Sequence, residues 1–147
     1  MKRAFLQRII APLLLLCLLS FISTLSACSS FQLRSYYSER SNYVVATGTV
    51  SYISYSEDKT SLYIEFSDLS PKFDDICFKI VGDNLAIVQA NGIDQSVAVG
   101  SYVEFITAPE YFGDGYVMPI VAMSINDVPL LEFEDGLDNL LEWIDET

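Results

Sequence analysis

The residues of this chain that could do chemistry are few in kind. There is no histidine among its 147 residues, which removes the commonest general base and zinc ligand. Cysteines stand only at positions 17, 28 and 77, and Cys77 has no histidine to activate it as a nucleophile. Carboxylates are abundant: twenty Asp and Glu face eight Lys and Arg, for a net charge of −12. Asp74-Asp75 and the group Glu132, Glu134, Asp135 and Asp138 offer the hard oxygens that calcium takes. Neither has the alternating Asp/Asn loop with a closing Glu, so both read as solvated acidic faces. Among twenty acids some pair at glycosidase spacing arises by chance, and none stands out. The sequence carries no Gly-rich phosphate loop and no Ser-centred elbow. These residue types point away from catalysis, from a metal centre and from a cofactor.

The most distinctive candidate surface is Tyr111-Phe112-Gly113-Asp114-Gly115-Tyr116. Tyr111, Phe112 and Tyr116 could stack on a sugar ring or a peptide side chain, with Asp114 accepting hydrogen bonds. The plainer account, which the sequence favours, has the two glycines making a turn while the aromatics pack against a C-terminal helix.

Cys28 stands in different company. Lys2, Arg3 and Arg8 open the chain, an apolar run of 14 residues follows from Ile9 to Ile22, and Leu25-Ser26-Ala27 lead into the cysteine. These are the parts of a secretory signal peptide over 1–27. As a helix the run reaches about 21 Å, shorter than the roughly 20 apolar residues a spanning helix needs. Leu25-Ser26-Ala27-Cys28 resembles the lipobox of bacterial lipoproteins. The resemblance implies that the Cys28 thiol receives a diacylglyceryl group and that the peptide is cut before it, removing Cys17. Acyl chains such as palmitate then hold the protein on the extracytoplasmic side of a cell membrane or outer membrane. Each buried CH₂ contributes about 0.8 kcal/mol, so two or more chains anchor firmly. Ser29 is not the Asp that resembles an inner-membrane retention signal in two-membrane bacteria.

Cleavage there leaves 120 residues, one domain by length, with five basic and twenty acidic side chains and a net charge of −15. Such a surface repels nucleic acid, whose binding rests on Lys and Arg neutralising phosphates. It suits a basic partner, and it should stand off anionic headgroups. With Cys28 as a thioether, Cys77 has no disulfide partner.

The elements that must position these residues are mainly β. Residues 28–42 comprise the lipidated cysteine and a polar tether, and the domain occupies 43–147. Tyr36 and Tyr37 could dock on that domain or lie at headgroup level. Tyr43 to Tyr55 forms a first strand, with Gly48 inside it and a bulge between Val50 and Ile53. Leu62, Ile64 and Phe66 alternate with Tyr63 and Glu65 in a second strand, and Ile76, Phe78 and Ile80 with Cys77 and Lys79 in a third. Residues 67–74 read as loop. Asp83 suits an N-cap and Gly92 a C′ position around a short helix containing Leu85, Ile87 and Val88. Tyr102–Thr107 and Tyr116–Ile125 are the fourth and fifth strands, Pro119 marking a bulge or edge, and Asn126–Pro129 a turn. Phe133, Leu137, Leu140, Leu141 and Ile144 fall at helix spacing, giving a C-terminal helix over 134–145.

Three strands, a short helix, then two strands resembles the five-stranded Greek-key barrel known as the OB-fold. The resemblance covers about residues 43–126, and an SH3-like barrel is the alternative. The expectation for function is a non-catalytic binding module for a protein, peptide or glycan, tied to the membrane through Cys28. The alternative is a structural accessory subunit of an envelope assembly, docked through its C-terminal helix.

Overall fold

The computed structural model describes residues 31–73, 77–110 and 117–146. Over these residues the chain is mainly β. Six strands form one sheet: β1 (Val44–Tyr55), β2 (Ser61–Ser70), β3 (Cys77–Val81), β4 (Tyr102–Thr107), β5 (Val117–Ile125) and β6 (Val128–Leu131). Their order is β3-β2-β1-β4-β5-β6, and β3 also pairs with β5. That additional pairing is parallel, whereas the others are antiparallel. It closes a ring of hydrogen-bonded strands, β1-β2-β3-β5-β4. Four α-helices accompany the sheet among the described residues: α1 over 31–38, α2 (Gly82–Ala90), α3 (Ile93–Ser96) and α4 (Phe133–Glu146), with a single 3-10 turn at Arg40–Asn42. Among the described residues no helix is long and apolar enough to cross a membrane.

The ring closes because β1 is long and bent. Its first half pairs with β4 and its second with β2, and its register against β2 shifts between Thr47 and Thr49 and between Val50 and Tyr52. Extra residues of this kind raise local twist and turn a strand from one neighbour to the next. The irregularity expected between Val50 and Ile53 is thus present. Gly48 is required by a close approach: a Cβ there would lie 2.9 Å from Phe66 Cβ. The Phe66 ring so admitted stacks on Phe105 at 4.5 Å, and Phe78 meets Phe105 edge-on at 4.8 Å. Leu62, Ile64, Ile80 and Val103 complete the wall of this interior, and Leu85 and Val88 of α2 are buried in the same cluster.

A second core lies outside the ring. Val81, Ala108 and Val121 pack there with Leu140 and Ile144 of α4 and with Tyr37 of α1. Helix α4 approaches β5 so closely that a Cβ on Gly136 would sit 1.8 Å from the Val121 carbonyl oxygen. Val121 is the extra residue where the β4–β5 register shifts between Ile106 and Thr107. The approach is fixed by side-chain amides, one of them fully buried. Asn84 Nδ2 donates to Gly136 O at 2.8 Å, and Asn139 Nδ2 donates to Asn84 Oδ1 at 3.0 Å.

The structure differs from the sequence reading at several joints. Asn126 and Asp127 do turn the chain, at φ of 51° and 62°, but the turn is a two-residue hairpin connection. Two positive φ values in succession match the twist of flanking strands, so Val128–Leu131 returns as β6, Pro129 included. Asp83 does not cap α2; it lies in the first turn, and Val81 holds the cap position without a side-chain bond. Gly92 takes the expected left-handed conformation after α2, at φ 83°. β2 continues through Ser70, into the stretch read as loop, because Thr47 and Thr49 of β1 pair with Ser70 and Ser67. Near Pro119 the irregular residue is Val121. Pro119 itself keeps its place in the parallel pairing with Lys79.

Residues 31–38, within the segment read as a tether, are helical, and Tyr37 docks on the domain with no exposed surface. The Tyr37 hydroxyl donates to Glu110 O at 2.8 Å and Tyr43 Oη donates to Tyr37 O at 2.8 Å. Two ion pairs hold the same segment to α4: Arg34 with Asp145 at 2.7 Å, and the two-pronged contact of Arg40 with Glu134.

Candidate binding face

The strand alternation that buries Leu62, Ile64, Phe78 and Ile80 turns Tyr63, Glu65, Cys77 and Lys79 to the opposite side. The cross-strand register gathers them. Tyr52 lies opposite Glu65, Ser54 opposite Tyr63, and Tyr63 opposite Lys79. The result is an outward patch on β1, β2 and β3 with two tyrosines, one acid and one base. Tyr52 is 49 % exposed. The Lys79 ammonium stands 5.3 Å from the Tyr63 ring centroid, a cation–π distance that holds the ring and the charge in register.

The turn that borders this face is braced. Asp58 accepts hydrogen bonds from Ser56 Oγ at 2.6 Å, Thr60 Oγ1 at 2.9 Å and Thr60 N at 3.1 Å. The Ser56 hydroxyl and the Thr60 donors together hold its carboxyl down at about 2, below the ordinary 3.8. An ionised acceptor therefore fixes the β1–β2 turn at any physiological pH.

Cys77 sits on the same face, half-buried. Burial, and then the charge of Glu65, push its thiol above the ordinary value of 9.0. A thiol held protonated is a poor nucleophile, so Cys77 behaves as a small packing residue. Among the described residues no group of three or more Cys, Asp or Glu is placed to hold a metal ion.

The site residues read from the sequence fare differently. Cys28 and the Tyr111, Phe112, Asp114 and Tyr116 loop lie outside the described residues, as does Asp74-Asp75. The strands flanking that loop are described, and immediately before it Glu110 lines an open cleft of about 380 Å³ with Gln32, Leu33 and Tyr36. The acidic group at 132–138 is not a shared site, since Glu134 is engaged by the Arg40 guanidinium, whose hydrogen bond lowers the Glu134 carboxyl. Trp143 packs over Gly82, where a Cβ would meet its Cδ1 at 2.9 Å. Missed by the sequence reading was the Tyr52–Tyr63–Glu65–Lys79 face. Its signal was present in the outward half of two alternations already used to find the core.

Comparison with protein-family models, with curated protein sequences and with solved structures finds no match to this chain.

Proposed function

We propose that this protein is a lipid-anchored lipoprotein of the bacterial cell envelope whose domain is a non-catalytic binding module of the OB type. The charged start, the 14-residue apolar run and Leu25-Ser26-Ala27-Cys28 support lipidation at Cys28 and an extracytoplasmic address. The ring order β1-β2-β3-β5-β4, the parallel β3–β5 pairing and a helix between β3 and β4 support the OB reading over an SH3-like barrel.

The observation that carries the binding assignment is the open patch of Tyr52, Tyr63, Glu65 and Lys79 on β1–β3. In OB-folds the face of strands 2 and 3, flanked by the β1–β2 and β4–β5 loops, is where oligonucleotides and oligosaccharides bind. A mature charge of −15 disfavours the first class. The ligand is then a glycan or an extended peptide, stacked on tyrosine and hydrogen-bonded by Glu65 and Lys79. By sequence, Tyr111, Phe112, Asp114 and Tyr116 fall between β4 and β5 and are the further ligand-binding residues of this reading. A structural subunit is the second reading. The apolar stripe of α4 is buried inside the domain, so an assembly contact would have to use another surface.

The test is a titration of the ¹⁵N-labelled mature protein with amino-sugar oligosaccharides and, separately, with basic peptides. Saturable shifts confined to Tyr52, Tyr63, Glu65 and Lys79, weakened about tenfold by Tyr63→Ala, support the assignment. A ligand that binds with no shift on this face refutes it.

A further inference from the structure

We propose that α1 is a rigid strut that holds the domain directly on the bilayer, with Phe31 seated in the lipid interface. The inference rests on lipidation at Cys28 and adds to it the geometry of the attachment.

A leash is as long as the chain between the anchor and the first fixed point. Residues 29–42 would give a leash of 14 residues if all were loose. They are not. Tyr37 is buried in the outer core, its hydroxyl bonded to Glu110 O and its carbonyl accepting from Tyr43. Arg34 binds both the Leu141 carbonyl at 3.2 Å and the Asp145 carboxylate at 2.7 Å. Helix α1 extends from this fixed point back to residue 31. Only Ser29 and Ser30 then separate Cys28 from Phe31. Three fully extended residues reach about 11 Å, so Phe31 can be no further than that from the acylated residue.

Composition agrees with that proximity. All twenty acids of the chain lie at Glu39 or beyond, leaving residues 28–38 with Arg34 as their one charge. Within this acid-free stretch Phe31 is 73 % exposed, the most exposed of the large apolar side chains described. An aromatic ring that water would otherwise surround gains by entering the headgroup–acyl boundary. The distance also matters for the domain's charge. A reach of at most about 11 Å to Phe31 and about 12 Å of helix in α1 cap how far the acids can withdraw from the bilayer, so electrostatic stand-off is limited by the strut rather than by a free tether.

The test uses the full lipidated protein in phosphatidylcholine vesicles carrying brominated acyl chains. A tryptophan is introduced by Phe31→Trp, and in a second protein by Tyr102→Trp, both with Trp143→Phe. Tyr102 pairs with Thr49, six residues along β1 from the Tyr43 that touches α1, about 20 Å away. The indole at position 31 should lose roughly half its emission or more and shift to the blue, as expected at the acyl boundary, with that at 102 unaffected. Equal emission at both positions overturns the strut. In the unsubstituted chain on vesicles, amides of 35–38, which have acceptors within α1, should exchange roughly 100-fold slower than an unstructured tether. Exchange at the unstructured rate overturns it as well. Intact mass separates this failure from that of the parent reading: an unacylated Cys28 refutes the anchor, whereas an acylated Cys28 with either negative result refutes the strut alone.

Discussion

Replacing Gly136 by alanine should destabilise this protein, although the same change in an exposed helix stabilises. The helix term alone favours alanine by about 1 kcal/mol. In this structure the added Cβ would lie 1.8 Å from Val121 O, 2.7 Å from Val121 C and 3.1 Å from Val121 Cα. The obstacle is backbone at a strand irregularity, so no side chain can rotate aside. To restore ordinary contact α4 must lift by about 1.6 Å, which opens gaps beside Leu137, Leu140 and Ile144 and stretches the Asn84–Gly136 hydrogen bond. Overpacking of this kind costs about 1–3 kcal/mol, and weakening a bond to the buried Asn84 adds about 1 kcal/mol. The balance is a net loss of about 2 kcal/mol after the helix term is subtracted. Urea unfolding followed by circular dichroism measures it, with exposed Glu142→Ala as a control expected within about 0.5 kcal/mol of the parent. A Gly136→Ala protein as stable as the parent, or more so, would refute the account of how α4 meets β5.

Tyr37→Phe removes the donor to Glu110 O from a fully buried position and should reduce stability by about 1 kcal/mol in the same assay. Glu134 is held below its ordinary 4.5 chiefly by the Arg40 hydrogen bond. Its folded value is the lower one, so its contribution is present above the ordinary value and is lost as pH falls through the folded value. An NMR titration should show this midpoint below 4.5 and Arg40→Ala should bring it back. Cys77 should react with iodoacetamide more slowly at neutral pH than a free thiol, its rate rising at a pH above the ordinary midpoint. Glu65→Gln should shift that rise to lower pH.

What was legible in the sequence follows from what a pattern of two can encode. Alternation found the inward residues of β2 and β3, and the match of Tyr102–Thr107 to β4 was complete. The bulge after Val50 showed as a break in that alternation. β6 was hidden because Pro129 reads as a turn residue, and because an Asn-Asp pair signals a hairpin only once both residues are seen at positive φ. Asp83 fits a cap by type, yet Gly82 at φ 55° starts α2 two residues sooner, with Val81 in the cap position. The docking of Tyr37 depends on Glu110 and Tyr43. The second of these is near in sequence, but the first is 73 residues away, a pairing that no local pattern contains. The same holds for Arg34 with Asp145. The outward face was legible in part: Tyr63, Glu65 and Lys79 are the polar half of a period-two pattern, whereas their grouping with Tyr52 required the register across the bulge.

The claim on which the rest depends is that Cys28 is the anchored N-terminus, and the most direct measurement is the intact mass of the protein extracted from membranes. The account predicts a chain beginning at Cys28, carrying a diacylglyceryl group on the thiol, and lost from the membrane in a Cys28→Ala protein. A membrane-bound Cys28→Ala protein, or a mature chain with an unmodified Cys28, would contradict it.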